Sequence, residues 1–390
     1  MKSDLVEPTG TCRVTVRASE RSSFVEYHLI AATAGTQSPV AAATEIFEGL
    51  ASTLLETGIQ PMQEKLYGLA RVRSEVLRRR DEIYRHHGLD RTMPITWVEG
   101  APLLGCDFGG VQIWGIAPRD REPCVTTVEH PAAGKARLWT GRGFRMLHVP
   151  GLRGTMPSGA LPAGGAAQAA QLFVNAATTL DSQRFSYAQV VRTWIYAARL
   201  LEWYGDLNRV RTAFYRQVGF DPANGRAFPA STGIMGRCDD EECLMDVLAV
   251  QIDRPGAVNV APILRSPRQD SSFNYGSAFS RGVSLEIDGR RTVHVSGTAS
   301  INSAGVSTYP GDAEHQSLET LMSIAAILEE QGGSLRDITS ATLFCKNHEA
   351  WEAWERVARL LGLSEIPKIC VRADVCRHDL LVEMEAVAVI

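Results

Sequence analysis

The chain has 390 residues and a formal charge of −4, from 40 Lys+Arg against 44 Asp+Glu. That balance excludes a strongly basic nucleic-acid binder and offers no polybasic membrane patch. Hydrophobic residues make up 45% and charged residues 22%, which suits a globular chain of two or three domains, at ~150 residues per domain.

Taken from the N-terminus, residues 1–21 are polar and carry no leader pattern. A first strand is expected in EYHLIAATAG (26–35) and a helix in VAAATEIFEGLASTLLETG (40–58). A basic helix, SEVLRRRDEIYRHHG (74–88), follows, then strands in MPITWVEG (93–100) and GGVQIWGIA (109–117). RMLHVPGLRG (145–154) reads as the next strand, and 158–167 as a Gly- and Pro-rich loop. Residues 169–197 read as helix, polar turn and β-branched strand, with later strands in FPASTGI (228–234) and CLMDVLAV (243–250). Residues 253–274 read as a polar linker. RTVHVSGTAS (291–300), 317–345, SEIPKICVR (364–372) and VEMEAVAV (382–389) then repeat the preceding order.

This order predicts an internal threefold repeat. His148 aligns with His294 and Gly151 with Gly297. The copies are expected over 12–118, 119–252 and 253–390, the first the most diverged. Strands alternating with helices give an α/β (α+β) unit with helices on one sheet face. Three such units around a pseudo-threefold axis bury the other face against one another, as a homotrimer of one copy would. A monomer is therefore expected.

The eight cysteines include no CxxC, and no HxxxH accompanies them, so no metal site is expected and the thiols should be reduced. No run of ~18 apolar residues is present to span a membrane. No phosphate loop, GxSxG or HExxH occurs, so no metal or nucleotide cofactor is expected. The expected setting is the cytoplasm.

The Pro-led strand followed by DLLVEMEAVAVI (379–390) resembles the RidA/YjgF family. RADVCRHDLLVEMEA (372–386), RTWIY (192–196), FPASTGI (228–234) and YGSAFSRG (275–282) together resemble the chorismatases. These are RidA-like enzymes that cleave chorismate to pyruvate and a C7 acid. The resemblance covers most of 100–390 and implies a small-molecule substrate, chorismate, with no nucleic-acid or membrane partner. It implies the aromatising type, which yields 3-hydroxybenzoate.

Aligning Ala117, Ala249 and Ala388 places Gln112, Leu244 and Glu383 at one position, so only the third copy holds a carboxylate there. Alternation puts Glu383 and Glu385 on one strand face. Glu385 is matched by Asp246 and reads as structural. A carboxyl in a partly apolar pocket can stay protonated near neutral pH and serve as the acid that opens an enol ether. Glu383 is expected to be that acid. The resemblance makes Cys376 the position that decides between aromatisation and hydrolysis. The turn RHD is expected to lay the strands of Cys376 and Glu383 side by side. Two substrate carboxylates need cations and hydroxyl donors, for which Arg209, Arg216, Arg281, Tyr196 and Tyr275 are the candidates.

Alternative products are 4-hydroxybenzoate and a dihydroxycyclohexadiene acid. Two further readings are a RidA-like enamine/imine deaminase and a non-catalytic ligand-binding protein. The deaminase reading wants an Arg two residues after the strand proline, where this chain has Thr96, Ser231 and Ile369.

Overall fold

The computed structural model describes residues 4–9, 12–35, 37–120, 124–130, 134–222, 225–236 and 240–390; Cys238 lies outside them. The first run of elements is β1 (Asp4–Thr9), β2 (Cys12–Glu20), β3 (Phe24–Thr33), α1 (Pro39–Thr57), β4 (Gln60–Gly68), α2 (Ala70–His86), β5 (Thr96–Glu99), β6 (Ala101–Pro102) and β7 (Phe108–Pro118). The second is β8 (Cys124–His130), β9 (Gly134–Gly141), β10 (Phe144–Arg153), α3 (Gly165–Ser182), β11 (Val190–Ala197), α4 (Leu200–Gln217), β12 (Ala230–Met235) and β13 (Cys243–Ile252). The third is β14 (Asn259–Ile263), β15 (Gly282–Ile287), β16 (Arg290–Ala299), α5 (Ala313–Glu330), β17 (Ile338–Cys345), α6 (His348–Leu360), β18 (Lys368–Arg372) and β19 (Val382–Val389).

The sheets repeat one strand order: β1-β2-β3-β7-β4-β5, then β8-β9-β10-β13-β11-β12, then β14-β15-β16-β19-β17-β18. Each holds one parallel pair, β4 with β5, β11 with β12 and β17 with β18, because a helix carries the chain back between them. Three apolar clusters lie between a sheet and its own two helices. A fourth draws Trp114, Trp194, Val283 and Phe344 from all three sheets and fills the centre. This is the expected intrachain pseudo-trimer of α+β units.

Hydrogen bonds cross every junction. Arg137 Nε donates to the Pro61 carbonyl (2.8 Å), Ser231 N to Ser296 Oγ (2.9 Å), and Ser23 Oγ to Asp288 Oδ2 (2.7 Å). The ring of units is thus closed within one chain. Two elements depart from the expected limits. β14 is an ordered edge strand inside the expected linker, and β6 leaves the first unit to pair with β18 of the third.

The strand registers correct one alignment. His148 lies opposite Leu248, His294 opposite Val387, and His28 opposite Trp114. Gly115, not Ala117, therefore matches Ala249 and Ala388. Gln112 matches Asp246 and Glu385, while Gly110 matches Leu244 and Glu383. The third unit still holds the sole carboxylate at this position. In the first unit no side chain fits there: Gly110 has φ +137°, and a Cβ would stand 2.1 Å from the Ala31 carbonyl.

Candidate active site

Gln112, Asp246 and Glu385 are buried, and each bonds to the neighbouring unit. Gln112 Nε2 donates to the Ala341 carbonyl (2.7 Å). Asp246 accepts from Thr96 Oγ1 (2.7 Å). Glu385 accepts from Thr232 Oγ1 (2.5 Å) and Arg192 Nη2 (2.8 Å). Thr96 and Thr232 occupy equivalent places on β5 and β12, opposite Lys65 and Trp194. Glu385 is thus the third unit's clamp on the second, which fits its structural reading.

Glu383 lies two residues earlier, on the same face of β19, and is 4% exposed. Burial pushes its carboxyl up to about 8, the neighbouring Glu385 adds to this, and Arg192 opposes it. The acid is therefore protonated at neutral pH. Its seat is β16, where the ladder to β19 slips between Val295 and Thr298. Gly297 stands in that bulge, and a Cβ there would lie 2.1 Å from Glu383 Oε1. Glycine is required because the carboxyl rests on its backbone. The second unit repeats the bulge, between Val149 and Leu152, beneath Leu244.

Cys376 reaches Glu383 by a different route from the expected hairpin. β17 lies between β18 and β19, so the strands around RHD do not pair. The 373–381 loop crosses the end of β17 and brings the thiol into the field of Glu383. Burial and that charge push the thiol up to about 12, while Arg377 and a hydrogen bond with Tyr204 oppose the rise. Cys376 is a neutral thiol at pH 7, not a nucleophilic thiolate.

Tyr204 lies on α4. That helix turns Leu207, Arg211 and Tyr215 inward at a spacing of four residues. Arg211 is 2% exposed; its Nη2 donates to Asn208 Oδ1 (2.5 Å), and its Nε has no hydrogen-bond partner among the described residues. Arg209 and Arg216 fall off this stripe. Arg209 pairs with Asp206 at the surface and Arg216 is exposed, so neither turns inward with Arg211.

The segment before β15 completes the arrangement. Arg281 is 2% exposed and donates from Nε and Nη2 to the Asp270 carbonyl, at 3.0 and 2.7 Å. Its guanidinium lies 5.4 Å from the Tyr275 ring, which also faces Arg377 at 5.6 Å. Burial raises the Tyr275 phenol and Arg281 opposes the rise, yet no bond of good geometry joins them. Arg377 Nη1 donates to the Gly305 carbonyl (2.8 Å). Among the described residues, none of Arg211, Arg281 and Arg377 has a carboxylate ion-pair partner. Arg211 and Arg281 are buried and Arg377 is half-buried, and cations left so are poised for an anionic ligand.

Of the candidates, Glu383, Cys376, Tyr275 and Arg281 come together. Tyr196 lies instead on the axis, with its ring 5.8 Å from Lys65 Nζ. Arg211, Arg377, Tyr204 and Gly297 complete the site. Arg377 is readable as the neighbour of Cys376, but no sequence signal separates Arg211 from the other arginines of its helix. Among the described residues, no group of three or more His, Cys, Asp or Glu is placed to hold a metal. No helix of the described residues is long and apolar enough to cross a membrane.

A stability prediction follows from the raised carboxyl. Between the unfolded value of 4.5 and the folded value of about 8, only the folded state holds the proton. Raising the pH through this window therefore destabilises the fold. Glu383→Gln removes the dependence. Thermal melts should show the variant gaining on the wild type from pH 5 to pH 8, and a constant difference would mean an ordinary carboxyl.

The sequence pattern described as Endoribonuclease L-PSP matches residues 276–390. A RutC family protein of Pyrococcus abyssi is 33% identical over 79 residues, 20% of this chain and 62% of the relative. The chain thus spans under two thirds of that relative's length. The 3-aminoacrylate deaminase RutC of Acinetobacter baylyi is 31% identical over 97 residues, 25% of this chain and 77% of the relative. The crystal structure of a chorismatase superposes with a TM-score of 0.62 at 19% identity, covering 95% of this chain and all of that one. That last likeness is one of fold, and it extends over all three units. Through the sequence of its third unit, the chain belongs to the RutC (endoribonuclease L-PSP) family.

Proposed function

We propose that the protein is a chorismatase that converts chorismate to 3-hydroxybenzoate and pyruvate. The observation that carries this reading is the pairing of a buried protonated carboxyl, Glu383, with Arg211, Arg281 and Arg377, which lack carboxylate partners among the described residues. Chorismate is a dicarboxylate bearing an acid-labile enol ether, and it needs both features. The fold shared with a chorismatase over 95% of the chain supports the reading.

Glu383 protonates the methylene carbon of the enolpyruvyl ether, giving an oxocarbenium ion. The ring 4-hydroxyl oxygen captures that ion. Cleavage of the ring C4–O bond with loss of the C3 proton aromatises the ring. Collapse of the resulting hemiketal breaks its bond to the C3 oxygen, releasing pyruvate and 3-hydroxybenzoate without net water, the former 4-hydroxyl proton ending on the phenol. The Glu383 carboxylate left by the first transfer can take that ring proton back. Turnover should hold steady below about pH 8 and fall above it, as the acid loses its proton. Incubation with chorismate, with chromatography of the products and a pyruvate assay, tests the reaction. No pyruvate would sink it. Because the ring of units closes within the chain, we also propose a monomer, which sedimentation tests.

Cys376 is assigned to product choice. The neutral thiol beside Glu383 fills space that a water would otherwise take. Cys376→Ala should still release pyruvate but shift the product from 3-hydroxybenzoate towards the dihydroxy diene acid. An unchanged product ratio at comparable turnover would leave Cys376 a packing residue.

The second reading is an enamine deaminase, favoured by the name of the Acinetobacter relative. Two residues after the strand prolines stand Thr96, Ser231 and Ile369, and the register position of Thr96 and Ile369 holds Thr232 in the second unit; none is the Arg that chemistry wants. Ammonia release from an enamine substrate, without pyruvate release from chorismate, would support it.

A further inference from the structure

Glu383 and Glu385 are 4% and 6% exposed on one face of one strand, ~7 Å apart along it. Two carboxylates so close in an apolar surrounding resist ionising together. Their partners are divided unequally. Glu385 accepts from Arg192 Nη2 (2.8 Å), Thr232 Oγ1 (2.5 Å) and Thr342 Oγ1 (3.2 Å), and Lys65 Nζ stands 3.9 Å away. Lys65 comes from β4 of the first unit, 2% exposed, with its ammonium 4.0 Å from the Trp194 ring centre. The charged and titratable groups facing Glu383 are Arg192 on β11, Glu385 on β19 and Cys376 on the 373–381 loop. Arg377 faces the same thiol, and Arg192 is already bonded to Glu385.

We propose that Glu385 is a positioning residue for the acid: fixed as the carboxylate of the pair by Lys65 of the first unit and Arg192 of the second, it assigns the remaining proton to Glu383. This rests on reading Glu383 as the acid. It also gives the fusion of three units a purpose. The equivalent positions hold Gln63, Arg192 and Ser340; Lys65, Trp194 and Thr342; and Gln112, Asp246 and Glu385. A homotrimer would repeat one residue at each position. One chain can place a lysine, an arginine and a carboxylate around a single acid.

The test is infrared titration of the substrate-free protein, following the carboxylic C=O band that disappears in Glu383→Gln. In the wild type the band should persist to about pH 8. In Glu385→Gln its midpoint should fall by at least ~1 pH unit, because the like charge is gone and Arg192 remains. An unmoved midpoint overturns the proposal. If that variant misfolds on the unpaired Arg192, Arg192→Gln/Glu385→Gln removes both charges. Its midpoint should also fall, since Glu385 outweighs Arg192 at Glu383. Again, no movement overturns the proposal. The pH limb of pyruvate release, measured in parallel, should move with the band. A band that shifts while the limb stays fixed would remove Glu383 as the acid and leave the pairing with Glu385 intact.

Discussion

Glu383→Gln should slow pyruvate release from chorismate by ~10²–10⁴, the range for removing a placed acid. The amide keeps the shape of the carboxyl over the Gly297 backbone but has no acidic proton to give. Arg211, Arg281 and Arg377 are untouched, so chorismate should bind nearly as before. The loss belongs in kcat, not in KM. Single-turnover pyruvate assays together with a binding titration separate the two. Near-wild-type turnover would mean that the proton comes from another group. The two buried carboxyls that stand two residues further along β13 and β19 are poor substitutes. Glu385 is tied to Arg192 and two threonines, and Asp246 lies at the junction with the first unit.

Much of this arrangement is legible in the sequence, and the departures have physical causes. Element order and helix periodicity reveal the repeat, since each unit needs the same apolar faces. The uniqueness of Glu383 survives even though the first unit's register differs by two residues from the aligned one. Both aligned histidine strands carry a bulge at their glycine, between Val149 and Leu152 and between Val295 and Thr298, whereas the β3 ladder runs unbroken. Because side chains alternate with a period of two, an offset of two residues leaves the apolar alternation unchanged, and only the ladder partners reveal it. The path of Cys376 departs from the expected hairpin because β17 inserts between β18 and β19, and strand order is a tertiary choice. Arg192 and Glu385, 193 residues apart, meet only once the ring closes. On α4, Arg209, Arg211 and Arg216 are one residue type on one helix. The backbone leaves helical geometry at Trp203. The inward stripe of Leu207, Arg211 and Tyr215 is short, and spacing alone does not say which arginine it buries.

Arg281→Met should weaken chorismate binding by ~30- to 1,000-fold, the equivalent of ~2–4 kcal/mol for a desolvated charge pair. Arg281 gives two donors to the Asp270 carbonyl, which holds the guanidinium still without neutralising it. Burial pulls its pKa down from the ordinary arginine value, a sign that the charge is held at a cost. A carboxylate arriving from the substrate would supply the missing counter-ion through a charge-assisted contact. Methionine keeps much of the length and none of the charge. The measurement is calorimetry on the Glu383→Gln background, where turnover does not interfere. Arg281→Lys keeps the charge but not the planar fork, and should fall between the two. The same titration with 3-hydroxybenzoate tells which carboxylate is held. If Arg281 binds the ring carboxylate, both ligands weaken. If it binds the enolpyruvyl carboxylate, only chorismate does. Unchanged affinity for chorismate would take the substrate away from Arg281 and leave Arg211 and Arg377, which also lack carboxylate partners among the described residues, to hold both charges.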